Sequence, residues 1–230
     1  MTVSKRLLIL VMVANAALLL VAALGLWQMG RVYEAANYGN INTVPSILAL
    51  DKATLALGHL RVRIYRHVLN VEDAAKEALA VKIKAAKDEL NQALKEYEGL
   101  LSDDEDKRLL EADKKALAEY LVDADSVVAV STQNLHDEAL KQLTAGAVKA
   151  EAVNEALAAH MKYNVDLGAK SSAQAASTKQ IAVWLALGIS AAAFLIVTGL
   201  GVQIHTSLVT RLAEANGLAE RVAGGDLTAG

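Results

Sequence analysis

Two stretches of this chain carry no charge for longer than a soluble core helix needs. Leu7 to Trp27 is 21 residues with one polar side chain, Asn15, and Ile181 to Val202 is 22 residues with only Ser190 and Thr198 polar. At about 1.5 Å per residue each run spans roughly 30 Å as a helix, the thickness of a bilayer's hydrocarbon core. Both are expected to cross a membrane. A cleaved signal peptide is the rival reading of the first run, since Lys5 and Arg6 supply a basic leader. An apolar signal core normally runs about 7–15 residues, so the longer run favours an uncleaved anchor.

Basic residues ahead of the first run place the N-terminus in the cytoplasm. The second run then returns the chain there. Trp27 and Trp184 stand at the two ends that face the middle segment, where interfacial aromatic residues belong. The expected layout is a cytoplasmic start at 1–6, spans at 7–28 and 181–203, an exported domain at 29–180 and a cytoplasmic stretch from 204 to 230. In a bacterium this is a multi-pass inner-membrane protein with its middle in the periplasm.

The middle segment reads as helix throughout. One Pro, no Cys and four per cent aromatics in a chain rich in Ala, Leu, Glu and Lys predict an all-α fold. Ile47, Leu50, Thr54, Leu57, Arg61, Ile64 and Val68 step three and four apart along a first helix, with Thr43 and Pro45 placed as an N-cap and first turn. A break at Asn70 or Asp73 starts a second helix running to about Leu100. Ser102 and Glu105 have the spacing of a capping box, and Asp103, Asp104 and Asp106 then sit where a helix N-terminus favours negative charge. The spacing, glycine and terminal Glu of a calcium loop are missing. A third helix is expected from there to about Leu143, carrying Leu109, Leu117, Tyr120, Val127, Leu135 and Leu140. Thr144-Ala145-Gly146 turns the chain into a fourth helix, which meets no breaker but Gly168 before Ile181. Four long helices joined by short turns predict an antiparallel up-down-up-down bundle, with both ends returning to one face.

Chemistry is sparse. No two of His59, His67, His136, His160 and His205 have the i, i+4 spacing of a helical zinc site, and none follows a Glu by three, as a di-iron bundle requires. No phosphate loop, dinucleotide fingerprint or nucleophile elbow occurs, and without Cys there is no thiol chemistry. Neither an enzyme nor a cofactor is expected. A formal charge of −3 with both signs interleaved argues against nucleic acid as a partner. The one local concentration is Arg61, Arg63 and Arg66 within six residues. Arg offers a planar, permanently charged fork suited to carboxylates. These arginines either pair with acids on neighbouring helices or bind a small anion. In the second reading two copies of the first helix gather Arg61 and Arg66, and Thr144 closes the site.

Beyond the second run the sequence becomes specific. Leu208, Leu212, Ala215, Ala219 and Val222 step 4-3-4-3 as a coiled-coil seam, ending at Ala223-Gly224-Gly225-Asp226-Leu227. This resembles the first helix of a HAMP domain, the signal relay of bacterial receptors, with Ser207 where that family usually has Pro. The whole chain resembles the N-terminal half of a methyl-accepting chemotaxis protein with a four-helix-bundle sensor. The resemblance implies a homodimer, a small-molecule ligand near the dimer interface, and a shift of the fourth helix on binding. It also implies a histidine kinase and coupling protein as partners, through a cytoplasmic domain beyond this sequence. Amino-acid receptors of the family carry helix-1 arginines at spacings of five and four. Arg61 and Arg66 match the first two places, and Asn70 stands at the third. A sensor histidine kinase or a cyclic-dinucleotide synthase with the same input half is the alternative, and a purely structural anchored bundle is a third reading.

Overall fold

The computed structural model describes residues 3–224. Helix α1 (Val3–Tyr38) passes through a π-helical segment (Gly39–Thr43) into α2 (Val44–Leu69); then follow α3 (Asp73–Glu98), α4 (Asp104–Thr132), α5 (His136–Ala145) and α6 (Ala147–Ala223). No strand occurs among the described residues. The chain forms two compact units, one from the described parts of Met1–Glu34 and Gln174–Gly230, the other from Ala35–Ala173.

The second unit is an antiparallel four-helix bundle of α2, α3, α4 and a fourth helix made of α5 and the first part of α6. Antiparallel order shows in the cross-links. Lys52 meets Glu96 while Arg63 reaches Lys82, and Lys114 meets Glu98 while Lys87 pairs with Asp125. Small residues bring α2 against its neighbours. Ala49, Ala53 and Ala56 alternate with Leu50, Leu57, Leu60 and Ile64, all buried, and pack with Ile83, Leu90, Leu94, Tyr97, Leu110, Leu117, Val127, Val153 and Leu157. Core positions thus repeat every three and four residues on each helix, the pattern of left-handed bundles.

Three expectations about element ends need correction. Thr43 is not an N-cap: it has helical torsions (φ −57°, ψ −50°), makes no capping bond, and the helix runs through it. Pro45 lacks an N–H and its ring crowds the carbonyl four residues back. The π segment absorbs this by widening the helix, with the Val44 N–H bonding Gly39 O, five residues back. The cap of α4 is shifted by one residue. Asp103, not Ser102, accepts from the Asp106 N–H at 2.9 Å, and the Asp106 carboxylate reaches back to the Ser102 N–H. Glu105 instead pairs with Arg108.

The largest correction concerns the reversal into the fourth helix. It falls at Gln133–Leu135, not Thr144–Gly146, and Asn134 takes φ 58°, the left-handed conformation that Asn tolerates better than most residues. The Asn134 side chain accepts from Lys76 Nζ (2.7 Å) and donates to Asp73 (3.2 Å), so the turn is tied to the start of α3. Leu135 ends the turn, Leu140 lies past it, and both are exposed. Gly146 keeps near-helical torsions (φ −72°, ψ −9°) and joins α5 to α6 with an offset rather than a reversal.

In the first unit the runs Leu7–Trp27 and Ile181–Val202 lie within α1 and α6, and both helices are long and apolar enough to cross a membrane. The two lie side by side: Arg6 donates to Ser207 Oγ at 2.9 Å, and Ala14, Ala17 and Val21 face Ser190, Ala193 and Val197. Leu18, Leu19, Phe194 and Leu195 point outward. Asn15 satisfies its amide on Val11 O within its own helix, and Arg31 stacks over Trp27 at 5.3 Å.

Candidate functional site

The arginines separate. Arg61 is partly buried on α2 and borders a cleft of about 50 Å³ between α2, α4 and the α5–α6 junction, lined also by Tyr65, Tyr120, Asp123 and Gly146. Its guanidinium has no hydrogen bond or ion pair among the described residues. Burial pushes the Tyr120 phenol up, against a smaller pull downward from Arg61. Asp123 is engaged by Lys149 at 2.7 Å. Arg63 donates to Lys82 O at 2.7 Å. Arg66 lies in solvent about 140° around the helix from Arg61. Asn70 is the C-cap of α2, its amide 3.4 Å from Arg66 O. Thr144 is exposed and donates to Leu140 O. Of the expected ligand residues only Arg61 faces the cleft.

Sequence reasoning missed a larger feature. On α4 the core register runs Asp106, Leu110, Asp113, Leu117, Tyr120, Ala124, Val127 and Ser131; on α6 it runs Ala150, Val153, Leu157, His160 and Asn164. Polar residues occupying core positions were the available signal. Asp106, Asp113, His160 and Asn164 converge toward the end of the bundle that holds the α3–α4 connection. His160, wholly buried, sets Nδ1 2.5 Å from Asp113 Oδ2 and Nε2 2.8 Å from Asp106 Oδ1. Tyr97 from α3 donates to Asp106 (2.5 Å), and its ring meets the imidazole edge-on at 4.5 Å. Asn164 donates to the Tyr97 oxygen (2.6 Å), and Ser102 donates to Asp106 Oδ2. Asp103 accepts from Tyr163 at 2.5 Å beside them.

Both imidazole nitrogens face carboxyl oxygens. An ionised carboxylate only accepts, so with both acids charged both nitrogens donate, and only the imidazolium does so. Burial pushes His160 down, but the bonds and charges of Asp113 and Asp106 outweigh it and hold it above the usual histidine value. Burial pushes Asp106 up, yet donation from Tyr97, His160 and Ser102 wins and holds it below the carboxylate range. Burial dominates at Asp113, aided by the Asp106 charge, and raises it. Asp113 Oδ1 and Asn164 Oδ1 are buried without partners among the described residues.

A second buried polar group closes the opposite end. Lys76 donates to Ser131 O (2.6 Å) and Asn134, and Ser131 Oγ bonds His67 O while lying 2.9 Å from His67 Nδ1. With the hydroxyl proton on the carbonyl, Nδ1 is the donor to Ser131. Burial, then the Lys76 charge, pushes His67 down. His136 Nδ1 donates to Val68 O at 2.9 Å.

The chain thus combines an antiparallel four-helix bundle with two apolar helices long enough to cross a membrane. A family model described as a four helix bundle sensory module for signal transduction matches residues 1–178. The chain belongs to this family, the sensory modules of methyl-accepting chemotaxis proteins. No curated protein and no solved structure matches it.

Proposed function

We propose that this chain is the input half of a transmembrane chemoreceptor that binds a small organic acid or amino acid outside the inner membrane and controls a histidine kinase through a HAMP relay. The bundle is its periplasmic ligand-binding part, and it carries no enzymatic activity of its own. The observation that carries the reading is Arg61. A guanidinium beside an apolar core without an anion is costly, and this one borders open space next to the α5–α6 junction. One water needs about 10–15 Å³ by the same measure, so the cleft takes a ligand of a few heavy atoms. Arg61 offers the charge and Tyr120 a phenol that burial keeps protonated.

Relay has a physical route. α6 is one unbroken helix from Ala147 to Ala223 that holds both the bundle's fourth helix and the second apolar run. The Gly225-Asp226-Leu227 signature lies outside the described residues. Calorimetry on the full chain in lipid nanodiscs, with a panel of small carboxylates and amino acids, tests the reading. A ligand whose heat disappears in Arg61→Ala supports it. Full-strength binding in Arg61→Ala places the ligand elsewhere. An output domain that proves to be a catalytic kinase or cyclase would favour the alternative sensor classes.

A further inference from the structure

The Arg61 cleft leaves the Asp106–His160–Asp113 array unused. It is a titratable group wholly buried on α6, flanked by two acids of α4 and backed by Tyr97 of α3. For helix pairing alone, apolar side chains at these core positions serve as well or better, because buried ion pairs recover little more than their desolvation. What the array adds is dependence on one proton. With that proton present, the ring donates to α4 at both nitrogens. Without it, one nitrogen presents a lone pair to a carboxylate, and an acid is left buried and unpaired.

We propose that the module has a second input: His160 is a proton-binding site that clamps α6 to α4 when protonated and releases it when the medium turns alkaline. The charged groups acting on the ring both come from α4, namely Asp106 and Asp113. From α3 it meets Tyr97, a neutral phenol, and α2 contributes the uncharged Ser46 beside that phenol. Two acids and no base face it, so the site holds its proton to higher pH than an ordinary histidine does. Release frees Asn164 one turn further along α6, since its bond to Tyr97 depends on the Tyr97–Asp106 contact. The repulsion falls at Asp113 Oδ2, 2.5 Å from Nδ1, or at Asp106 Oδ1, 2.8 Å from Nε2. The inference rests on α6 being the relay helix and needs no organic ligand.

The test uses the full chain in lipid nanodiscs with 15N-labelled histidine. Ring nitrogen shifts of His160, assigned by their loss in His160→Gln, are followed from about pH 5 to about pH 10, a range bracketing the usual histidine value of about 6.5. Amide exchange of residues 157–164 is read over the same range. The expected result is deprotonation of His160 above 6.5, with exchange rising about tenfold or more in the same interval as α6 opens locally. Asp113→Asn, which removes one of the acids, moves the midpoint to lower pH. Arg61→Ala leaves the step in place, which separates this site from the ligand cleft. Exchange that stays flat while His160 titrates, a ring that never titrates in the range, or the same step persisting in His160→Gln would each overturn the proposal. If His160→Gln does not fold, the midpoint shift in Asp113→Asn decides alone, and an unmoved midpoint overturns it.

Discussion

At the scale of single residues, several odd letters have packing reasons. Gly168 interrupts a helix that otherwise favours Ala, and a Cβ there would stand 2.6 Å from Thr43 Cγ2. Helix propensity favours Ala by about 1 kcal/mol, while overpacking costs about 1–3 kcal/mol. Thr43 is β-branched and stiff about χ1, so the cost prevails. Gly168→Ala is expected to lower stability, by up to about 2 kcal/mol, in denaturant titration. Thr43→Ala, which also removes a buried unpartnered hydroxyl, should restore most of it; simple additivity of the two changes would sink the contact as the cause. The two buried histidines oppose each other in pH. His160 is raised, so its contribution is full below 6.5 and fades as pH rises through its folded value. His67 is lowered, so its contribution is full above 6.5 and fades as pH falls through its folded value. The contribution of the two histidines to stability should thus peak near 6.5, rising up to it through His67 and falling above it through His160. In His160→Gln the fall above 6.5 should vanish while the His67 rise below it remains. A falling slope in that variant would mean the assignments are reversed.

At the scale of elements, the helices were legible because apolar spacing of three and four has one simple solution. Their ends were less so. Asn70–Glu72 breaks where expected because α2 stops at Leu69. The reversal at Asn134 was hidden because Leu135 and Leu140 extend the apolar rhythm of α4 across it, and Gly146 is a stronger local breaker than Asn. What decides is tertiary: Lys76 and Asp73 of α3 hold the Asn134 side chain. The buried array was hidden for a related reason. His160 lies 54 residues from Asp106, and only folding joins them, although each sits in a core register visible in the sequence. Replacing Asn134 separates its two roles. Asn134→Gly keeps φ 58° at no steric cost but loses both side-chain bonds. Asn134→Ala adds left-handed strain of about 1–2 kcal/mol. Thermal unfolding should therefore rank wild type above Gly and Gly above Ala. Equal losses in the two variants would leave the hydrogen bonds as the whole effect.

At the scale of the whole molecule, the face of α2 that the bundle leaves uncovered matters most. Val44, Leu48, Leu55, Val62 and Leu69 are each half or more exposed, and the last four recur every seven residues. Arg66 stands at the edge of this stripe, one turn from both Val62 and Leu69. A seven-residue apolar repeat along a long helix is the seam of a parallel or antiparallel pair. The homodimer that the family resemblance implies is therefore expected to meet here, through α2 of two copies. The chain has no Cys, so one introduced thiol reports alone. Val62→Cys lies on the seam, and a copy meeting it in register about a twofold axis brings the two sulfurs within disulfide reach, which needs Cα atoms closer than about 7 Å. Mild oxidation in native membranes should link this variant into dimers at low expression. Lys84→Cys, exposed on α3, should stay monomeric under the same oxidation while accepting an impermeant maleimide added outside the inner membrane. Dimers of Lys84→Cys with none of Val62→Cys would move the interface to another face. Maleimide labelling of Lys84→Cys only after the inner membrane is opened would reverse the orientation.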